Sequence, residues 1–351
     1  MDTFASRLLQ WFELNGRHDL PWQQGRNLYR VWVAEIMLQQ TQVMTVIPYY
    51  RQFMQIFPDI TVLAKASVDE VLAQWAGLGY YRRARHLHKT AEIILAQYQG
   101  EFPQDYEAVL ALPGIGPSTA GAILAQALDQ RHPILDGNVK RVLSRYHAIE
   151  GWPGQRHIEK QLWQKAEQHT PITRLVDYTQ AMMDLGATLC TRSSPQCQHC
   201  PLNSDCVALA TRKVDILPTK KSRKALPVRK KRFLVIHHPE IGLLMEKRPT
   251  TGIWGGLWSL PEMLMDDNIE QSCMQRWGIQ VDRISELPAF RHSFSHFHLD
   301  ISPCVIAVKA IPQQISEAQT CEWQALALIR AVATPVRYIL DQLASELLGK
   351  P

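Results

Sequence analysis

The chain has 351 residues, more than one hydrophobic core usually organises, so its length predicts two domains. Hydrophobic residues make up 46% and charged residues 20%, which is ordinary for a soluble globular protein. No apolar stretch is long enough to span a bilayer, and the start MDTFASRLLQWFEL lacks the basic region of a secretory signal peptide. These features argue against a membrane-spanning or secreted protein and predict a cytoplasmic one.

The first 210 residues are predicted to be helical. Apolar residues recur at intervals of three and four, as at Val71, Leu72, Trp75 and Leu78, and prolines and glycines interrupt the pattern at short intervals. The sequence therefore predicts an all-α domain over residues 1–211.

The helix that contains residues 31–43 (VWVAEIMLQQTQV) carries one acidic residue in an apolar setting. Glu35 is the only formally charged residue between Arg30 and Arg51. A carboxyl group in such surroundings loses solvation, which raises its pKa and suits a general acid. The alternative is a glutamate that reaches solvent at the edge of the helix or pairs with an arginine.

A basic stripe follows at residues 77–89 (GLGYYRRARHLHK). Arg82, Arg85 and Lys89 share one helical face, and Tyr80 lies at a glycine turn. Basic residues beside an exposed aromatic side chain suit DNA-backbone contact and insertion into the duplex. An ordinary surface stripe and a core tyrosine explain the pattern equally well.

Two further motifs lie at residues 112–124 (LPGIGPSTAGAIL) and 134–145 (ILDGNVKRVLSR). The two glycines around Ile115 permit a tight hairpin, and the helix that Pro117 opens would present backbone N–H groups to a phosphate. Asp136 precedes a helical run, and on this pattern alone we expect an N-cap.

Four of the seven cysteines lie within residues 190–206. Such crowding in a reducing compartment indicates metal binding rather than disulfides. The uneven spacing favours an iron–sulfur cluster but leaves zinc open, because only one Cys-x2-Cys pair is present. The four cysteines are Cys190, Cys197, Cys200 and Cys206.

The net charge of +5 is concentrated in one stretch. Residues 212–232 contain ten lysines and arginines and one aspartate, so this stretch carries +9 and the remainder of the chain −4. Pro218 and Pro227 interrupt it, and we predict a basic interdomain linker. A solvated linker and one that also follows DNA phosphates both remain open.

Residues 233–351 are predicted to form a smaller α+β domain. FLVIHH and GLLMEKR are β-prone runs joined by PEIG, which predicts a hairpin. FRHSFSHFHLDI alternates with period two, and we expect one strand with Phe290, His292, Phe294, His296 and His298 on one side. Residues 325–349 have a helical pattern. The predicted fold class is thus multidomain, an all-α domain followed by an α+β domain.

Taken together and in this order, these motifs resemble the helix-hairpin-helix DNA glycosylases, and among them the adenine DNA glycosylase family. The resemblance runs almost continuously from Leu8 to Cys206 and more loosely through GIWGGLWSLPE and FRHSFSHFHL in a C-terminal domain that resembles the Nudix fold. It implies base-excision repair of adenine opposite 8-oxoguanine or guanine in double-stranded DNA, by an enzyme that we expect to be a monomer.

The resemblance also implies roles for individual residues. The four cysteines match the ligands of a [4Fe–4S] cluster, Glu35 the general acid, and Asp136 its electrostatic partner. Residues that match DNA contacts are Gln39, Gln40, Tyr80, Leu112, Gly114, Gly116 and Ser118, to which we add Lys140. Residues that match the loop reading the opposite base are Phe294, Ser295 and His296. Ordinary strand packing is the alternative for these last three.

Residue 118 separates the branches of this superfamily. Relatives that also cut the strand have a nucleophilic lysine at the position of Ser118, and serine cannot form a Schiff base with the sugar. We therefore expect a monofunctional glycosylase, although Lys140 near Asp136 leaves a weak lyase activity open. The alternatives are an endonuclease III-like glycosylase and lyase for pyrimidine lesions, and a non-catalytic DNA-binding iron–sulfur protein.

The Nudix-like domain departs from the hydrolases of that fold. After Gly256 and Glu262 the chain continues as DDNIEQSCMQRWG, without the group of carboxylates that holds magnesium in Nudix hydrolases. We therefore expect a recognition domain rather than a pyrophosphate hydrolase.

Overall fold

The structure, a computed structural model, describes residues 3–221, 225–310, 320–329 and 331–347. The chain forms two compact units, one of residues 1–65 and 86–223 and the other of residues 66–85 and 224–351. Residues 222–224 of the predicted linker and residues 330 and 348–349 of the predicted last helix lie outside the described residues. No helix of the described part is both long and apolar enough to cross a membrane.

The first unit is helical, as predicted. Its helices are α1 (Thr3–Asn15), α2 (Leu28–Leu38), α3 (Val43–Ile56), α4 (Ile60–Lys65), most of α6 (Arg82–Gln97), α7 (Tyr106–Leu110), α8 (Pro117–Leu128), α9 (Gly137–Tyr146), α10 (Arg156–His169), α11 (Leu175–Asp184) and α12 (Val207–Ala210). A core of α1, α9, α10 and α11 side chains includes Leu8, Leu143, Leu162 and Met182, all buried. Burial of these apolar faces is the main stabilising contribution.

The pairing of α2 and α8 positions the candidate catalytic residues. Helix α8 begins at Pro117, whose fixed φ suits the first helical position, and it ends at Asp129 in the left-handed conformation. Alanines and a glycine on α8 allow close approach of neighbouring backbone, since a Cβ added to Gly121 would lie 2.6 Å from the Pro133 carbonyl oxygen. Helix α2 packs directly on this helix.

Over its described residues, the second unit contains α5 (Val68–Trp75), α13 (Ile269–Trp277), α14 (Thr334–Leu347) and an eight-stranded mixed sheet. Its strands are β1 (Val228–His238), β2 (Gly242–Lys247), β3 (Trp258–Ser259), β4 (Glu262–Met263), β5 (Gln280–Glu286), β6 (Phe290–Ser293), β7 (His298–Ala310) and β8 (Cys321–Gln324). The central path runs β3-β2-β1-β7-β5; β4 pairs with β1, β6 with β7 and β8 with β2.

Strand β1 is the centre of this sheet. It pairs antiparallel with β2, which confirms the predicted hairpin, and parallel with β7 from Val228 opposite His298 onward. Phe233 to Ile236 are completely buried, because apolar side chains cover both faces of the sheet here. The strand begins inside the basic stretch 212–232, so residues 228–232 are strand.

The prediction of one continuous strand over FRHSFSHFHLDI was wrong. Strand β6 ends at Ser293 and β7 begins at His298, and the two pair antiparallel with Phe290 opposite Ile301. A tight turn joins them, in which the Phe294 N–H donates to the Phe297 carbonyl at 2.9 Å. Period-two alternation continues through such a hairpin, so the pattern did not reveal the reversal.

We expect Asp184→Asn to destabilise the helical unit by about 3 kcal/mol, because it removes the buried carboxylate charge and leaves the partly buried Arg17 guanidinium without its partner. Asp184 is fully buried, and its carboxylate accepts hydrogen bonds from the Arg17 backbone N at 2.7 Å, the Arg17 side chain at 2.5 Å and the Gln180 amide at 2.7 Å. Urea unfolding followed by circular dichroism measures the change.

Asp177→Asn is the matched control for this substitution. Asp177 forms an exposed pair with Arg174, and such pairs contribute about 0–1 kcal/mol. Equal unfolding free energies for the Asp184 and Asp177 variants would contradict the role given to the buried pair.

Candidate active site and cysteine cluster

Glu35 lies on α2 with its carboxyl directed at α8. Its neighbours Trp32, Ile36 and Met37 are almost completely buried, while Glu35 itself is partly buried. Gln126 of α8 donates from Nε2 to Glu35 Oε1 at 2.8 Å. Loss of solvation raises the pKa of Glu35 to about 7, with the Gln126 hydrogen bond opposing the rise and Asp136 adding to it. A carboxyl group with this pKa can carry a proton at neutral pH, as predicted.

Asp136 is the N-cap of α9, and the predicted N-cap is confirmed. Its Oδ1 accepts from the Val139 N–H at 2.8 Å. Burial raises the pKa of Asp136, whereas backbone hydrogen bonds from Val139 and Asn138 and the charges of Arg141 and Lys140 lower it. Because Asp136 raises the pKa of Glu35, the two carboxyl groups are near enough to interact. Asp136 can therefore cap α9 and also act as the charged partner of Glu35.

The segment from Leu112 to Ser118 forms the predicted hairpin. The Ile115 N–H donates to the Leu112 carbonyl at 3.2 Å, and Gly116 is the N-cap of α8. Gly114 has a φ of +81°, and a Cβ there would lie 2.9 Å from His86 Cβ. Both the backbone conformation and the closeness of His86 therefore exclude a side chain at Gly114. The first N–H groups of α8 form a helix start suited to an anion.

Ser118 and Gln39 connect this hairpin to its neighbours. Ser118 Oγ accepts from the Leu135 N–H at 2.9 Å, next to Asp136. Gln39 Nε2 reaches the Gly114 carbonyl and Thr119 Oγ1, both at 3.4 Å. Gln40 is exposed with a φ of +59°, at the turn after α2. The α2 turn and the hairpin therefore lie side by side.

The structure gives Lys140 an ion-pair partner. Lys140 Nζ lies 2.6 Å from Glu159 Oε1 of α10, so its charge is already compensated in this state. The predicted DNA contact would require Lys140 to leave this pair or to share it. Surface pairs of this kind are worth about 0–1 kcal/mol and separate easily.

The four predicted ligand cysteines line one cavity, together with apolar residues that include Val142, Leu185 and Leu189. Burial raises the pKa of Cys200 to about 11, and the neighbouring thiols add to this. Among the described residues, no three histidine, cysteine or acidic side chains are grouped closely enough to hold a single metal ion. Four thiols around one apolar cavity fit the ligand set of an iron–sulfur cluster.

Arg145 and Arg141 of α9 hold the cysteine loop. Arg145, 3% exposed, donates from Nη1 to Cys190 Sγ at 3.4 Å and to the Thr191 carbonyl at 2.7 Å. Arg141 donates to the Cys190 carbonyl at 2.7 Å and to Asn138 Oδ1 at 2.8 Å. The helix capped by Asp136 is thus bonded directly to the cysteine loop, and its guanidinium groups would offset the negative charge of metal-bound thiolates.

Tyr80 belongs to the second unit and is not a core tyrosine. Its side chain is 50% exposed, and its φ of +48° is unusual for a bulky residue. Gly77 and Gly79, which both precede Tyr80, also have positive φ, and the Arg83 guanidinium lies 5.6 Å from the centre of the Tyr80 ring. Arg85 of the predicted basic stripe donates to the Gly255 carbonyl. The turn therefore displays an aromatic ring, as an inserting residue would require.

The three predicted opposite-base residues lie in the turn between β6 and β7. Ser295 and His296 are exposed, and Phe294 is half-buried. The Phe294 ring stacks on Phe297 at 4.5 Å and contacts Trp254 at 5.4 Å. Packed aromatic rings therefore lie beneath the exposed Ser295 and His296, and such a surface can contact a nucleobase.

Three residues of these sites were not predicted. Gln126, Arg145 and Trp254 each contact a predicted residue from a distant point of the chain. Gln126 is the polar residue in the otherwise apolar run 120–128 of α8, and that contrast was the one available signal for it. Trp254, with a φ of +52°, gave no such signal.

Known proteins resemble both parts of the chain. Residues 33–168 match the HhH-GPD superfamily of base excision DNA repair proteins, and residues 232–342 match the NUDIX domain. In solved structures, a thermostable thymine-DNA glycosylase has 27% identity and a TM-score of 0.55, over 59% of this chain and 95% of that chain. An endonuclease III–DNA complex, at 21% identity and a TM-score of 0.51 over 59% and 94% of the two chains, shares the fold.

Curated relatives match over far more of the chain. The adenine DNA glycosylase of Buchnera aphidicola subsp. Acyrthosiphon pisum is 40% identical over 342 residues, covering 96% of this chain and 97% of that protein. The Homo sapiens adenine DNA glycosylase is 35% identical over 358 residues, covering 85% and 65%. By this identity over nearly its whole length, the chain belongs to the adenine DNA glycosylase family of base-excision repair N-glycosylases.

Proposed function

We propose that this enzyme hydrolyses the N-glycosidic bond of adenine mispaired with 8-oxoguanine or guanine in double-stranded DNA. The observation that carries the proposal is the setting of Glu35 on apolar helix α2, where Gln126 binds its carboxyl at 2.8 Å, burial raises its pKa to about 7 and the charge of Asp136 adds to the rise. Two carboxyl groups in different environments can act as acid and as electrostatic stabiliser in glycosidic cleavage. The target adenine must first leave the base stack, which costs less at a mismatch.

The residues support the following reaction. Protonated Glu35 gives its proton to a ring nitrogen of adenine, and the electron pair of the C1′–N9 bond leaves with the base. The positive charge left on the sugar is stabilised by the ionised Asp136. Water adds to C1′ and loses a proton, which restores the acid. The products are free adenine and an abasic site.

Ser118 supports a monofunctional reaction. Its hydroxyl already accepts a hydrogen bond from the Leu135 N–H, and a hydroxyl group forms no Schiff base with the sugar. Strand cleavage would then require a separate base-catalysed step, to which Lys140 could contribute weakly.

We also assign DNA contacts to the α2 turn, the hairpin, Tyr80 and Lys140. Cys190, Cys197, Cys200 and Cys206 would hold a [4Fe–4S] cluster, whose four bonds to sulfur would keep the loop around it folded. The enzyme would act as a cytoplasmic monomer.

In the NUDIX domain, ion pairs support recognition rather than hydrolysis. Glu262 pairs with Arg248, and Glu246 lies 3.2 Å from Arg276. Both carboxylates are held in ion pairs with arginines, whereas a magnesium site needs carboxylates that are available to the metal.

A duplex panel tests the proposed function. Single-turnover reactions on A:8-oxoguanine, A:G, A:C and A:T duplexes are compared with and without alkali treatment. We expect strand breaks only after alkali, with A:8-oxoguanine and A:G duplexes as the fastest substrates. Breaks without alkali at the rate of base loss would contradict the monofunctional assignment.

We expect Ser295→Ala combined with His296→Ala to lower the rate ratio between A:8-oxoguanine and A:G about tenfold, since each lost discriminating hydrogen bond costs about 0.5–1.5 kcal/mol. The salt concentration is the same in all reactions, because binding of basic residues to DNA phosphates depends on salt. Ser285→Ala, on exposed β5, is the control. An unchanged ratio in the double variant would remove this turn from opposite-base recognition.

A further inference from the structure

Gln126 is a buried amide on an apolar helix. It is 2% exposed, and its neighbours Ile123, Leu124 and Ala125 are completely buried. Burying an amide without hydrogen bonds is unfavourable, so its placement calls for a partner. That partner is Glu35, 91 positions away in the sequence, whose Oε1 accepts from Gln126 Nε2 at 2.8 Å.

The direction of this hydrogen bond distinguishes the two oxygens of the Glu35 carboxyl. An amide N–H can only donate, so the oxygen it faces must accept. When the carboxyl is neutral, its proton then lies on the other oxygen. We propose that Gln126 is a positioning residue of the active site, which holds Glu35 through Oε1 and leaves Oε2 as the oxygen that carries and delivers the proton.

The same hydrogen bond acts on both states of the acid. A donor stabilises the carboxylate more than the neutral carboxyl, so Gln126 opposes the effect of burial on the pKa of Glu35. Asp136 at the start of α9 is the charged group that acts in the other direction. Gln126 thereby keeps the acid fixed in orientation and keeps its pKa near neutrality, where proton donation and recovery are both possible.

Gln126→Met tests this inference, which rests on the proposed role of Glu35 as the acid. Methionine is close to glutamine in length but has no donor. We expect the pKa of Glu35 to rise by about one unit, because the carboxylate loses a hydrogen bond that stabilises its charged form. Excision is lost as pH rises through the pKa of the acid, so the falling limb of the pH–rate profile should move to higher pH. The low-pH plateau should fall about tenfold or more from misorientation.

Two readouts separate this inference from the proposed function. The pH–rate profile for A:8-oxoguanine reports on the acid during excision. A ¹³C NMR titration of the Glu35 carboxyl, assigned with Glu35→Gln, reports its pKa whether or not adenine is excised. If Gln126 had only a structural role, Gln126→Met would lower the low-pH plateau of the excision rate. The Glu35 pKa would then stay unchanged in both the pH–rate profile and the NMR titration.

Gln130→Met is the matched control, since the Gln130 amide donates to the backbone carbonyl of Gln104 and not to the acid. Its two titrations should equal those of the wild type. If Gln126→Met does not fold, Gln126→Asn shortens the donor by one carbon, and the same upward shift is expected. A Glu35 pKa that is unchanged in the folded Gln126 variant, or shifted equally in Gln130→Met, would overturn the proposal.

Discussion

Glu35→Gln is expected to bind mismatched DNA but to excise adenine at least about a hundredfold more slowly than the wild type, because general acids contribute about 10²–10⁴-fold. The amide keeps the shape of the side chain and cannot donate the acid proton. Single-turnover rates on A:8-oxoguanine and a binding titration on the same duplex measure the two effects separately. Glu167→Gln, in the exposed pair with Arg131, is the control.

The same variant has an expected effect on stability. Burial raises the pKa of Glu35 above its ordinary value of 4.5 to about 7, so the folded protein binds this proton more tightly than the unfolded chain does. The stability of the wild type should therefore decrease as pH rises from about 4.5 to 7. Glutamine does not ionise, and we expect Glu35→Gln to be more stable at pH 8 by up to about 3 kcal/mol. If Glu35→Gln excised adenine at the wild-type rate, another group would have to be the acid.

Cys200→Ser is expected to lose most of its iron and sulfide and to unfold at a lower temperature. Between residues 190 and 206 the chain has only two short 3₁₀ turns, Cys197–His199 and Asn203–Asp205, and few buried side chains besides Leu202. Ligand bonds would therefore supply most of the folding free energy of this loop. Iron and sulfide analysis, visible absorption and thermal unfolding measure the loss.

Cys321→Ser is the matched control for the cluster. Cys321 is partly buried on β8 and lies outside the group of four cysteines. Its variant should keep the iron and sulfide content of the wild type. Stoichiometric zinc without iron or sulfide in the purified wild type would contradict the [4Fe–4S] assignment.

The helices and the two carboxyl residues could be predicted because their signals are local. An apolar period of 3.6 and capping residues within a few positions determine where α2 and α9 lie, and the position of Glu35 on an apolar helix anticipates its desolvation. The cap formed by Asp136 is likewise a contact across three residues. In each case the deciding interaction lies within one helix turn.

The unpredicted features depend on contacts between distant segments. The hydrogen bond from Gln126 to Glu35 requires α2 and α8 to pack, and the bond from Arg145 to Cys190 requires the loop to return to α9. The reversal after Ser293 follows from the antiparallel pairing of β6 with β7, which alternation alone does not encode. Residues 66–85 group with the second unit through such contacts, for example that of Lys247 with Asp69.

The most direct measurement is mass-spectrometric detection of the base released from an A:8-oxoguanine duplex by the wild-type enzyme. Adenine labelled with ¹⁵N at the mispair distinguishes the target from every other base. We expect labelled free adenine in a one-to-one ratio with abasic sites, and essentially none with Glu35→Gln or from an A:T duplex. Abasic sites without labelled adenine, or release of a pyrimidine instead, would contradict the proposed function.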